Sequence, residues 1–302
     1  MSEEVNNILL DQTDGPVNDN TEAHVQERAL ESDMAFMFEA YTEDNIDNLK
    51  YNEKPELITL LGLNDYGKST FVGSLYQLLR TNEEYLGYSL VDSNTLAGFE
   101  RRVFLRKVNE SGKSDVKRTI RKKGSLLDLK LKNKAGLYRH IVLSDSAGEM
   151  YRDCISKDST VKEQIAVKVA DRLLIFVNCE EFLDSTKPWS DDLKGLLSRF
   201  YRNDMLPESA LVYIVFNKYD KMKGSIDSVK LDGFIREVKT IVSDFFTIED
   251  SNIYRVNSRG IKLDSEDEGL KTLIKNLLNP IPEDRSMYKV LDWLSNNIKN
   301  NK

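Results

Sequence analysis

Apolar positions divide the chain before any single residue is considered. Beyond Pro55, short apolar runs at 57–63, 139–145, 172–178, 211–217 and 252–256 read as strands. The middle three are nearly uninterrupted and contain β-branched residues, as strands buried on both faces require. Between them the apolar spacing turns helical at 68–80, 161–169, 191–201, 229–246 and 269–278. Pro280 and Pro282 punctuate the chain, and 285–298 reads as a final helix with Met287, Val290, Leu291, Trp293 and Leu294 on one face. Alternation of this kind predicts an α/β fold of three layers, with a mostly parallel central sheet and helices on both faces.

The first fifty residues look different. Positions 1–20 are rich in Asp, Asn and Glu with few large apolar groups, so burial cannot offset the entropy of ordering them and disorder is expected. From 21 to about 41, Val25, Leu30, Met34, Phe36, Met37 and Phe38 suggest one amphipathic helix, docked either on the body of the protein or on a partner. The expected organisation is therefore a leader at 1–50 and one domain at 51–302.

Charge sharpens this division. The 302 residues hold 43 Lys and Arg against 50 Asp and Glu, a net charge of −7. Thirteen of the acids lie in residues 1–50 against Arg28 and Lys50, leaving the leader at −11 and the remainder at +4. The opposite extreme is the segment 101–134, with thirteen basic residues against Glu110, Asp115 and Asp128, a net +10. Interleaved Phe104, Leu105, Ile120 and Leu126 argue against a disordered basic tail, and the segment reads as an inserted, β-rich hairpin with its charges on the outer face. A surface for an anionic ligand, or a dock for the acidic leader that holds the neighbouring loops closed, are the functional alternatives. The acidic average speaks against general nucleic-acid binding.

Two cysteines, Cys154 and Cys179, form neither a disulfide framework nor a zinc cluster. No apolar run approaches the roughly 18 residues of a membrane helix, and the start lacks the pattern of a signal peptide. A soluble, cytoplasmic protein without membrane insertion is expected.

The candidate chemistry lies at strand ends. After the first strand comes Gly62-Leu63-Asn64-Asp65-Tyr66-Gly67-Lys68-Ser69, followed by Thr70, which matches the phosphate-loop pattern GxxxxGK[ST] at every fixed position. Gly62 and Gly67 permit a tight path around an anion, and the helix that follows aims its positive N-terminus at phosphates. Lys68 would reach the β- and γ-phosphates and Ser69 would ligate Mg²⁺. Asp145, at the end of the 139–145 strand, stands where a second Mg²⁺ carboxylate belongs, and Gly148 would offer its N–H to the γ-phosphate. Asn217-Lys218-Tyr219-Asp220 closes a third strand. The Asp220 carboxylate would accept from guanine N1–H and its exocyclic amine, whereas adenine offers an acceptor at the first position. Lys218 would lie over the base and Asn217 would tie the loops together. Asn257-Ser258-Arg259 follows the last strand and would supply contacts to the guanine carbonyl. GTP or GDP with Mg²⁺ is the expected ligand, bound where open α/β sheets bind ligands.

On these motifs the chain resembles the Ras-like, translation-factor-related class of P-loop GTPases over about residues 55–280. Within that class it is most similar to the double-GTPase type 2 domains of bacterial conflict systems. The narrower likeness rests on Leu60-Leu61-Gly62, the segment from Ser93 to Arg101, Arg118-Thr119 and the segment from Leu143 to Glu149. The resemblance implies GTP and Mg²⁺ binding, slow hydrolysis, switch loops that order around the γ-phosphate, and a setting in bacterial defence. It departs from the class at three places. Asn64 and the bulky Tyr66 restrict the room for a partner's arginine. Glu149 replaces a water-positioning glutamine and would either slow hydrolysis or act as a base. The switch threonine is either Thr95 or Thr119. Two functions follow as expectations, a regulatory GTPase that hydrolyses GTP, or a GTP-gated interaction module with little turnover. Either would engage protein partners through the switch regions, the leader or the basic insert.

Overall fold

The computed structural model describes residues 39–42, 46, 49, 55–110, 126–184, 186–222, 225–258 and 267–281. The expected disorder at 1–20, the helix at 285–298, Thr119 and Arg259 lie outside the described residues, as does most of the expected helix at 21–41. Of that helix, residues 39–41 are described and are not helical: Tyr41 forms an antiparallel bridge with Leu126, exchanging N–H···O bonds of 2.8 Å in both directions.

The described elements run in this order: β1 Glu56–Leu61, α1 Lys68–Thr81, β2 Tyr88–Asp92, α2 Leu96–Glu110, β3 Leu126–Asn133 and β4 Tyr138–Ser144. Next come α3 Gly148–Ser156, α4 Asp158–Lys162, α5 Ile165–Lys168, β5 Arg172–Asn178, α6 Cys179–Leu183, α7 Trp189–Arg202 and β6 Leu211–Asn217. After a 3₁₀ turn at Tyr219–Lys221 follow α8 Ser228–Ser243, β7 Ile253–Val256 and α9 Glu268–Leu278. The strands form a seven-stranded sheet in the order β2-β3-β4-β1-β5-β6-β7, parallel from β4 to β7 and antiparallel where β2, β3 and β4 pair. The fold is the expected α/β architecture with a mostly parallel central sheet.

Burial explains why these residues form strands. Every residue of β1 and of β5 is buried, and six of seven in β6. Side chains on both faces are removed from water, each large aliphatic one contributing roughly 1.5–3 kcal/mol. Ile58, Leu60, Leu174, Phe176, Ile214 and Phe216 anchor one continuous core with Phe71 of α1 and Phe200 of α7. A smaller cluster joins Tyr41, Ile46 and Leu49 to Leu57, Leu126 and Val142.

Several elements differ from the sequence expectation. Residues 101–110 belong to a helix, α2, and not to a hairpin strand. Phe99, Arg102 and Val103 are buried side chains of this helix, a helical spacing of three and four, and Phe99 stacks on Tyr76 of α1 with centroids 4.9 Å apart. The other described end of the basic segment is strand as expected: β3 buries Leu126, Leu127, Leu129 and Leu131, and Lys130 and Lys132 lie over the Tyr138 ring. The helix expected over 161–169 is broken into α4 and α5. Val161 and Ala166 are both buried, and on one continuous helix a spacing of five would set them about 140° apart. Breaking the helix near Gln164 turns both inward. Among the described residues no helix is long and apolar enough to cross a membrane.

The sheet order reverses around β1. The chain runs from β1 to β2, β3 and β4 on one side and then crosses to β5, β6 and β7 on the other. The crevice outside the carboxyl ends of the parallel strands at such a reversal is where ligands bind in open α/β sheets.

Candidate nucleotide-binding site

Five parallel strands end at that edge, at Leu61, Ser144, Asn178, Asn217 and Val256. The loop after β1 turns sharply through Asp65 (φ 61°) and Gly67 (φ 82°) into α1. Gly67 precedes the helix in the left-handed conformation and no side chain caps α1, so its first N–H groups face the crevice. An added Cβ on Gly67 would overlap the Asn217 amide as well as strain the backbone.

Lys68 is buried, and its Nζ donates to the carbonyls of Gly62 at 2.6 Å and Leu63 at 3.1 Å. Burial pushes its ammonium down to about 8, while the charges of Asp145, Glu149 and Asp65 pull the other way. Glu149 is half-buried on the first turn of α3. Gly148 starts that helix, and a Cβ there would collide with the backbone of Asn64. The structure thus sets the α3 N-terminus directly against the loop after β1. The bulky Tyr66 is turned inward, and its hydroxyl donates to Glu181 Oε2 at 2.7 Å.

Ser69 Oγ donates to Asp145 Oδ1 at 3.1 Å. Two hard oxygen donors side by side at a helix N-terminus suit Mg²⁺, which prefers one or two protein oxygens and completes its shell with water and phosphate. The second Asp145 oxygen accepts from Arg102 Nε at 2.6 Å. Thr95 is fully buried, and its hydroxyl is engaged by Asp128 at 3.1 Å and Ser93 at 3.3 Å.

The other half of the site is built on Asn217. Its Nδ2 donates to the Tyr66 carbonyl at 2.8 Å, and its Oδ1 accepts from Ser258 Oγ at 2.8 Å and Ser258 N at 3.2 Å. The Ser258 carbonyl in turn accepts from Ser74 of α1 at 2.6 Å. The ends of β1, β6 and β7 are therefore joined through one amide. Lys218, in the left-handed region at φ 57°, pairs with Glu180. A cleft of about 630 Å³ opens between these loops, lined by Asp65, Gly67, Thr70, Lys218, Asp220 and Ser258 among others. Its size falls in the range of small-molecule sites, roughly 300–1,000 Å³.

Sequence reasoning missed Arg102, Asn178, Glu180 and Glu181. Asn178 stands at the carboxyl end of a buried strand, the same signal that marks Asp145 and Asn217, and it caps α6 by accepting from Glu180 N at 3.1 Å. Glu180 and Glu181 follow from it. Arg102 carries no local signal, because its partner is 43 positions away.

A family model described as Double-GTPase 2 matches residues 56–278. No curated protein matches the chain. Similar solved structures include Methanosarcina barkeri Roco2 RocCORdC bound to GDP, at 13% identity and a TM-score of 0.38, covering 76% of this chain and 49% of that one. The chain thus spans about half the length of that neighbour.

Proposed function

The chain belongs to the Double-GTPase 2 family, and from that premise we propose that it binds guanine nucleotide with Mg²⁺ and hydrolyses GTP to GDP and phosphate. The observation that carries this reading is the Asn217 amide, which fastens the phosphate loop at Tyr66 to the Ser258 turn beside the cleft that Asp220 lines. A phosphate cradle and an acceptor for the guanine edge are thereby held in one crevice.

The residues take separate roles. The N–H groups of 64–70 and the Lys68 ammonium hold the β- and γ-phosphates, and Ser69 and Asp145 would hold Mg²⁺. Bound Mg²⁺ would neutralise charge on the phosphate oxygens. Asp220 accepts from guanine N1–H and its amine, the stem of Lys218 covers the base, and Ser258 contacts the guanine carbonyl. Water attacks the γ-phosphorus, the bond to the β,γ-bridging oxygen breaks with its electrons passing to GDP, and both protons of the water leave on the released phosphate as dihydrogen phosphate. Gly148 offers its N–H to the γ-phosphoryl oxygen, and Glu149 orients the water. Catalysis of this type is mostly positioning and charge neutralisation.

A second reading, a GTP-gated module with little turnover, is favoured by the Glu149 carboxylate. An anion close enough to act on Lys68 also repels a γ-phosphate. Protein partners would engage the switch regions, the leader or the basic segment, and a bacterial conflict system is the setting that the family resemblance supports.

Titration with fluorescent GDP and GTP in Mg²⁺, competed with ATP and paired with phosphate release, tests the proposal. Guanine-selective binding, lost in Asp220→Asn by about 100-fold, with single-turnover phosphate release supports hydrolysis. Selective binding without release supports the gated module, and equal competition by ATP refutes the guanine reading.

A further inference from the structure

Asp145 is engaged on both oxygens. Oδ1 accepts from Ser69 Oγ at 3.1 Å, and Oδ2 accepts from Arg102 Nε at 2.6 Å. The side chains of this ion pair are only 7% and 1% exposed. Arg102 Nη1 donates to the Gly98 carbonyl at 2.9 Å, which fixes the guanidinium against its own helix. A desolvated carboxylate needs a compensating cation, and here α2 supplies it.

Three successive residues tie α2 down. Glu100 accepts from Tyr76 and Arg80 of α1, Arg101 pairs with Glu39 at 2.8 Å, and Arg102 reaches the carboxylate beside the phosphate loop. The first two bonds are half-exposed and join surfaces outside the crevice. The third alone touches the group that would face a divalent cation.

We propose that Arg102 is a positioning residue that takes the place of the metal at Asp145 while nucleotide is absent and yields the carboxylate to Mg²⁺ when Mg²⁺ and nucleotide load, so that α2 reports the state of the site. The proposal rests on the reading of Ser69 and Asp145 as Mg²⁺ oxygens. A guanidinium on one carboxylate oxygen and a divalent cation on the other repel each other at short range, in surroundings where charge is poorly screened. By linkage, whatever favours one cation at Asp145 disfavours the other by the same factor. Each loading event therefore draws on the one contact by which α2 reaches Asp145, while its outer ties and the packing of Phe99 on Tyr76 stay in place.

The test is the Mg²⁺ concentration needed for half-maximal retention of fluorescent GDP by the full chain. In Arg102→Ala the competing cation is gone, and the midpoint falls about tenfold. Arg102→Lys keeps a cation and stays near the wild type. An unchanged or higher midpoint in Arg102→Ala would show that Arg102 only supports the geometry of Asp145, which overturns the proposal. Should the alanine variant fail to fold, the wild-type chain decides by the ¹H–¹⁵N resonance of Arg102 Nε–H, assigned by its loss in Arg102→Lys. That resonance is protected from solvent exchange without nucleotide and loses protection on adding Mg²⁺ and GDP; persistence unchanged overturns the proposal. GDP binding by the wild type that ignores Mg²⁺ overturns the exchange at Asp145 alone. Absence of guanine-nucleotide binding at every Mg²⁺ concentration overturns the reading of the site, and the exchange with it.

Discussion

Asn217 Nδ2 donates to the carbonyl of Tyr66 at 2.8 Å, so the end of β6 holds the loop after β1 across 151 positions of sequence. The same side chain accepts twice from Ser258, and it is 2% exposed. Asn217→Ala therefore leaves the Tyr66 carbonyl and the Ser258 N–H without their partner in a buried place. The expected cost is about 1–3 kcal/mol of stability, read as a shift in the denaturant midpoint. Guanine-nucleotide affinity falls by at least about tenfold, since about 1.4 kcal/mol of lost preorganisation suffices for that.

The approach of α3 to the phosphate loop gives a second test. Gly148 lies so close to Asn64 that a methyl group would overlap the loop's backbone N and Cα, and a backbone cannot swing aside as a long side chain can. Gly148→Ala pushes the α3 N-terminus away from Asn64 and opens the space between the helix and the loop. Nucleotide affinity drops by about tenfold or more, while the far-ultraviolet circular dichroism of the folded chain is retained. Gly233, where an added Cβ meets nothing, is the control: Gly233→Ala on α8 leaves binding unchanged and raises helix stability slightly.

The two cysteines offer a chemical test of the core. Burial pushes the Cys154 thiol up to about 12 and raises that of Cys179 as well, with the charges of Asp153 and Asp220 adding in the same direction. Only the thiolate reacts. At pH 8 maleimide labels neither residue in the native protein and both in denaturant, as intact mass spectrometry would show. The sign for stability follows. The folded state keeps both protons longer than the unfolded one, so this contribution is intact at neutral pH and is lost as pH rises past the ordinary thiol value towards about 12.

How far these features are legible in the sequence depends on their range. The strands β5 and β6 are read to the residue because uninterrupted runs of five and six apolar or aromatic positions, almost all buried, leave a signal that turns do not blur. The motifs at 62–69 and 217–220 stand out in the sequence because the chemistry proposed for them needs fixed residue types at fixed spacing. Helix α2 is misread at 101–110 because its positive charges mask the buried stripe that Phe99, Arg102 and Val103 form. The strand β2 escapes because it is an edge strand, half-exposed, with no apolar run to mark it. Arg102 and Asp145 are 43 positions apart and are brought together by the fold alone, and nothing in either one's sequence neighbours announces the other.

The opposite edge of the sheet carries a test that separates stability from binding. At the start of β1, Glu56 takes both Arg172 of β5 and Arg139 of β4, with side chains 6%, 3% and 11% exposed. Arg172 spends its remaining donors on Tyr213 Oη and the Asn276 carbonyl, each at 2.8 Å, and on the Asn279 carbonyl, so it ties β5 to β6 and to the end of α9. Removing the carboxylate leaves two guanidinium groups buried together without a counter-charge. Glu56→Ala is expected to cost about 3–5 kcal/mol, a fall in Tm of roughly 10 °C for a domain of this size. Glu56→Gln keeps an acceptor but not the charge and falls between. Glu56 stands five residues from Leu61, about 17 Å along the strand. GDP affinity of the folded variant at low temperature therefore matches the wild type, and a matched loss of affinity and stability would show that the two edges of the sheet are coupled.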